Sequence, residues 1–169
     1  MKKQILKAIG GASLAILLLV AFAQVWVSAQ DNDNDLLRNG NKQSLVGSWD
    51  VQVTIRDCET GTVFFGFPAM ITYNQDGTMQ ETDLGNPSLL RLPGHGVWER
   101  QNGRQYSAAY RFLNFNLDRT FAGRNVVRST ISLGRSGDRY TSTETVEILD
   151  PNGNVITRGC ATTTAARFE

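Results

Sequence analysis

From residue 45 onward the chain repeats one device: apolar and polar residues alternate over short runs, and a turn signal ends each run. Period two is the spacing of a strand with one buried face, because successive side chains leave opposite sides of the backbone. The first run sets the pattern, with Trp49, Val51, Val53 and Ile55 in one phase and Asp50, Gln52, Thr54 and Arg56 in the other. Further strands are predicted over 63–73, 78–83, 96–100, 104–116, 125–133, 139–149 and 155–168. Asn74-Gln75-Asp76-Gly77, Gln101-Asn102-Gly103, Ser136-Gly137-Asp138 and Asp150-Pro151-Asn152-Gly153 supply tight turns between them. The longest irregular stretch is 84–94, which holds two prolines. No helix is predicted after residue 29.

Short connections between successive strands favour an antiparallel meander, since parallel pairs need long crossovers. A meander leaves two unpaired edges, and curling into a barrel removes both. The fold class is therefore all-β: a closed antiparallel up-and-down barrel of about eight strands, following an N-terminal signal helix. An open sandwich is the alternative. The cysteines speak to closure independently. Cys58 and Cys160 fall in or beside the first and last strands, which neighbour each other in a closed barrel with an even strand count. If the two face one another, the register sets Val51 opposite Arg167. A bridge closing so long a loop contributes up to about 4–5 kcal/mol on the chain-entropy account.

Ahead of these strands lies an export signal. Lys2, Lys3 and Lys7 precede an apolar run over 8–27, and Val27-Ser28-Ala29 is a small-residue cleavage site. The organisation read from the chain is a signal peptide over 1–29, a disordered linker over 30–44 and the barrel domain over 45–169. The linker is polar and acidic (Asp31, Asp33, Asp35), with little to bury. The expected location is periplasmic or extracellular, where a disulfide persists. An uncleaved leader would instead serve as an N-terminal membrane anchor, since its apolar run is long enough to span a bilayer. With the leader removed, no stable membrane insertion is expected. Removal of three of the 17 cationic side chains leaves 14 against 16 acidic ones. That balance offers no basic surface for nucleic acid. Two cysteines and one histidine do not make a zinc site, so neither metal nor cofactor is expected.

Gly47-Ser48-Trp49 at the head of the first strand, with Arg167 near the end of the last, resembles the lipocalin and calycin group of small ligand-binding barrels. In that group the tryptophan plugs one end of the barrel and the arginine packs across it. The resemblance implies the same roles for Trp49 and Arg167 here. The stretch 93–100 and the ending 158–169 look more like exported bacterial proteins that share the barrel, a likeness that implies a fold and no activity.

Candidate ligand contacts follow from the strand phases. Tyr106, Ala108, Tyr110 and Phe112 alternate along one strand, and aromatics beside small residues either leave a cavity for an apolar ligand or pack as an ordinary core. Phe115 and Leu117 switch the apolar phase, which a bulge near Asn114 would explain. His95, the one histidine, is flanked by Gly94 and Gly96. It reads as a turn residue, or as an acid–base group sharing a face with Glu99. The ligand-binding residues expected are His95, Trp98, Tyr106 and Tyr110. Thr141, Thr143, Thr145 and 162–164 read as β-branched sheet surface. No Ser-His-Asp arrangement or phosphate-cradling loop is present. The expected function is an exported, non-catalytic barrel that binds a small, largely apolar molecule. The alternatives are a barrel enzyme of the cyclase or isomerase type, resembling allene oxide cyclase, and an interaction module with a filled core.

Overall fold

The computed structural model describes residues 44–83 and 90–168. The predicted leader and almost all of the linker lie outside the described residues, as does the 84–89 portion of the irregular stretch. The described chain forms nine strands: β1 (Gly47–Arg56), β2 (Val63–Tyr73), β3 (Thr78–Asp83), β4 (Leu90–Arg91), β5 (Gly94–Asn102), β6 (Gln105–Phe115), β7 (Phe121–Leu133), β8 (Arg139–Leu149) and β9 (Val155–Arg167). No described residue is helical.

Eight of these strands close on themselves. The ladder runs β6-β5-β3-β2-β1-β9-β8-β7, and β7 pairs back onto β6. Strand β4 occupies β6 just beyond the start of β5, with Arg91 opposite Asn114 and His95 opposite Arg111. It continues β5 across a one-residue irregularity at Leu92 and Pro93. Proline lacks the N–H a ladder needs, so it belongs at such a break. A second register shift falls between Asn114 and Phe115, where the apolar phase of β6 changes.

The stagger of the barrel can be counted from its registers. Gly47 pairs with Tyr73, and the row continues through Met79, Gly96, Tyr110, Val127, Val146 and Gly159. Because Cys160 pairs with Arg56, that row returns to β1 at Asp57, ten residues on from its start. Eight strands with such a stagger tilt by roughly 35–45° and enclose an interior that side chains fill or that holds one small ligand.

Closure between first and last strands agrees with the cysteine argument, but the register differs by two residues. Trp49 pairs with Arg167 and Val51 with Ala165, rather than Val51 with Arg167. The reason is that Cys58 lies past the end of β1, within a turn. There the Asp57 carboxylate accepts hydrogen bonds from the Glu59 and Thr60 backbone. The Cys58–Cys160 disulfide therefore reaches across diagonally, with a Cα–Cα distance of 5.1 Å. A slip of two keeps every side chain on its own face.

The inward phase is now fixed. It includes Trp49, Val51 and Val53 of β1, Tyr106, Ala108 and Tyr110 of β6, and Ala161, Thr163 and Ala165 of β9, all buried. Gly94 and Gly96 also face inward, and each is needed for close approach. A Cβ on Gly94 would lie 2.7 Å from Glu81 Oε2, and one on Gly96 would lie 2.5 Å from Tyr110 Cβ. The two glycines let the Tyr110 ring lie against the β5 backbone.

Candidate functional site

The two ends of the barrel differ in chemistry. At the end where β1 begins and β9 finishes, an aromatic floor fills the interior. The Trp49 and Tyr140 rings meet edge to face at 4.8 Å, Tyr73 meets Trp98 at 5.8 Å, and Trp98 meets Tyr106 at 5.7 Å. Offset and edge contacts of this kind suit the ring quadrupoles. Each indole also has a hydrogen-bond acceptor: Trp49 Nε1 donates to the Leu45 carbonyl and Trp98 Nε1 to the Asn74 carbonyl, both at 2.9 Å. The Arg167 guanidinium stands 4.3 Å over the Trp49 ring. It donates to the carbonyls of Val46, Ser44 and Gly137, tying together the chain's entry, its last strand and the β7–β8 turn.

Above the floor the interior turns polar. Glu144 of β8 is 7% exposed, and its Oε1 accepts hydrogen bonds from Ser142 Oγ and Thr163 Oγ1, each at 2.9 Å. Burial pushes this carboxyl above the ordinary glutamate range, opposed by the hydroxyls of Ser142, Thr163 and Ser129. On the β3 wall, Glu81 and Asp83 share Arg91, whose side chain is only 7% exposed. The Arg91 guanidinium also lies 3.6 Å over the Phe112 ring. Burial pushes the Glu81 carboxyl up to about 8, with the nearby Asp83 charge adding and the Arg91 charge opposing. Burial likewise holds the Tyr110 hydroxyl well above its usual range, aided by the charge of Glu144 and of Glu81. Among the described residues, no group of acids, histidines and cysteines is placed to hold a metal.

In the floor Trp49, Ile131, Met79 and Tyr106 are 0–1% exposed; in the middle Glu81 and Thr163 are 2% exposed, and Val53, Tyr110, Ser129 and Glu144 reach 7–8%. A cavity of about 950 Å³ is lined by Trp98, Ala108, Ser129, Glu144 and Ala161, with their flanking residues and the turn after β1. A second, of about 1120 Å³, is lined by Val51, Ala69, Asp83, Leu133, Tyr140 and Ala165 with theirs. Cavities of this size take a small organic molecule.

The residues singled out in the sequence separate into two groups. Trp98, Tyr106 and Tyr110 all point inward, Trp98 and Tyr106 in the floor and Tyr110 in the polar middle. His95 does not join them. It lies within β5 rather than in a turn, exposed and in the phase opposite to Trp98, and Glu99 shares that outer face. Four groups of the polar middle escaped the sequence reading: Glu81, Asp83, Arg91 and Glu144. The signal for Glu144 was present, since it shares its phase with Tyr140 and Val146. Thr163, read as sheet surface, is buried and serves this carboxyl, while Thr164 stays exposed.

The two raised carboxyls make stability depend on pH with a definite sign. A carboxyl that holds its proton more tightly folded than unfolded favours the folded state at low pH, and that contribution falls away as pH rises toward the folded value. Urea midpoints should therefore fall between pH 5 and pH 8, and Glu81→Gln should flatten the slope. A midpoint rising over that interval would show that Glu81 ionises freely in the folded barrel.

No protein-family model matches the chain, no curated protein is significantly similar to it, and no solved structure matches it significantly.

Proposed function

We propose that this barrel is a lipocalin-like, non-catalytic binder of a small, largely apolar molecule taken in at the end opposite Trp49 and Arg167. One observation carries the reading. Among the described residues, thirteen large apolar side chains are exposed, and ten of them belong to the far end of the barrel. They come from every described connection there: Val63, Phe64 and Phe65 after the β1–β2 turn, Leu90 and Leu92 at β4, Leu113, Leu117 and Phe121 around the β6–β7 turn, and Val155 and Ile156 opening β9. At the floor end the connecting turns carry only polar residues and glycine instead. Scattered exposed apolar residues need no explanation, whereas a contiguous set marks a binding surface. Here the set encircles a barrel mouth. An export leader would place such a carrier outside the cytoplasm. The rival reading as a cyclase or isomerase resting on His95 loses its geometry, because that side chain and Glu99 face away from the interior.

The reading is tested with N-phenyl-1-naphthylamine, an apolar dye that brightens when it leaves water. Saturable binding at one dye per protein is expected, weakened at least tenfold by the pair Phe65→Ser and Leu117→Ser. Uptake that stays linear with dye concentration, or that ignores the double variant, would overturn the proposal.

A further inference from the structure

The polar middle of the barrel contains an imbalance of charge that the apolar rim does not explain. Buried carboxylates are ordinarily paired, because an isolated charge in a low-dielectric interior is costly. Glu81 and Asp83 follow the rule, since both meet Arg91. Glu147, on the outside, meets Arg128 and Arg158. Glu144 is buried with no ion pair among the described residues, and only hydroxyl groups serve it. The Ser142 and Thr163 hydroxyls donate to Oε1 and the Ser129 hydroxyl also serves the carboxyl, so every one of these partners is neutral. The same carboxyl borders the 950 Å³ cavity beside the Trp98 indole and the small side chains of Ala108, Ser129 and Ala161.

We infer that Glu144 is the counter-ion for a ligand ammonium group, so that the molecule held by this barrel is an apolar body carrying a primary or secondary amine. The small residues flanking Glu144 leave room for the head group, and the Trp98 ring offers an aromatic face to a cation. The ammonium supplies the charge that Arg91 supplies on the opposite wall. This rests on the ligand-binding reading above and specifies the head group of that same ligand.

Three matched probes separate the two claims by calorimetry on the purified protein: 1-naphthylmethylamine, 1-naphthylmethanol and 1-naphthoate. They share one ring system and differ in head-group charge. The amine is expected to bind at least tenfold more tightly than the alcohol, and the carboxylate more weakly than either. Glu144→Gln keeps the size of the side chain and its hydroxyl donors, and should remove the amine's advantage while changing alcohol affinity less than threefold. Equal affinity for amine and alcohol in the unaltered protein would overturn the ammonium assignment and leave the ligand-binding reading in place. Binding of none of the three would count against both. The probe comparison alone decides the matter if the variant fails to fold.

Discussion

Trp49→Ala is expected to lower the unfolding free energy by about 3–5 kcal/mol, the range for deleting a fully buried aromatic side chain. Trp49 is 0% exposed and lies at the centre of the floor. Its removal strips the edge contact to Tyr140, leaves the Leu45 carbonyl without its indole donor and takes the ring from beneath Arg167. Small domains have about 5–15 kcal/mol in total, so such a loss removes a large share. Urea denaturation followed by circular dichroism should show a lower midpoint with an unchanged slope. Trp49→Phe separates the contributions, since it keeps most of the packing and loses a hydrogen bond of about 1 kcal/mol. A loss below about 1 kcal/mol for the alanine variant would mean that the floor collapses around the gap and is no rigid plug.

Arg91→Met should be comparably costly, for an electrostatic reason. Methionine replaces the length of the arginine and much of its packing on Phe112, but it leaves Glu81 and Asp83 buried without a cation. Removing one partner of a buried ion pair typically costs about 3–5 kcal/mol. The effect carries a pH signature. At neutral pH and above, the folded barrel must either hold two unpaired carboxylates or bind protons that the unfolded chain does not. Toward pH 4 both states bind those protons, and the deficit should shrink. A deficit independent of pH would assign the role of Arg91 to packing alone. Adding Glu81→Gln and Asp83→Asn to Arg91→Met should restore part of the lost stability.

The contrast between the two sites explains how much of the molecule was legible from residues alone. Strands β2, β3 and β8 fall where alternation placed them, because each is bounded by strong turn signals such as Asn74–Gly77 and Asp150–Gly153. Barrel closure was legible as well, from strand number and the paired cysteines. Register was not. Two residues of slip leave the apolar phase intact, so the hydrophobic pattern cannot distinguish Arg167 from Ala165 as the partner of Val51. The β5 strand ran longer than its apolar residues suggested, since Gly94 and His95 add ladder contacts without adding hydrophobicity.

The interior was the harder part. Reading the apolar phase as inward succeeds for β1 and most of β6, yet it overlooks strands whose inward phase is itself polar. In β3 the inward residues are Met79, Glu81 and Asp83, and in β8 they are Tyr140, Ser142, Glu144 and Val146. Phase with Tyr140 and Val146 is the one local sign for Glu144, and the partners that satisfy these carboxyls come from other strands: Arg91 for Glu81, and Thr163 for Glu144. His95 is the opposite case, an exposed residue on the outer face of β5. Its two flanking glycines serve the ring of Tyr110 on the other face.

The seam between β1 and β9 also constrains how the chain is made. Its two strands are the earliest and latest pieces of the domain, and β9 occupies its last described strand positions. Contacts between such distant segments slow folding, because the intervening chain must be ordered before they form. While the polypeptide is still being synthesised, β1 has only β2 for a neighbour, and the sheet cannot complete itself until β9 emerges. A barrel built this way stays open at its seam until β9 is available to close it.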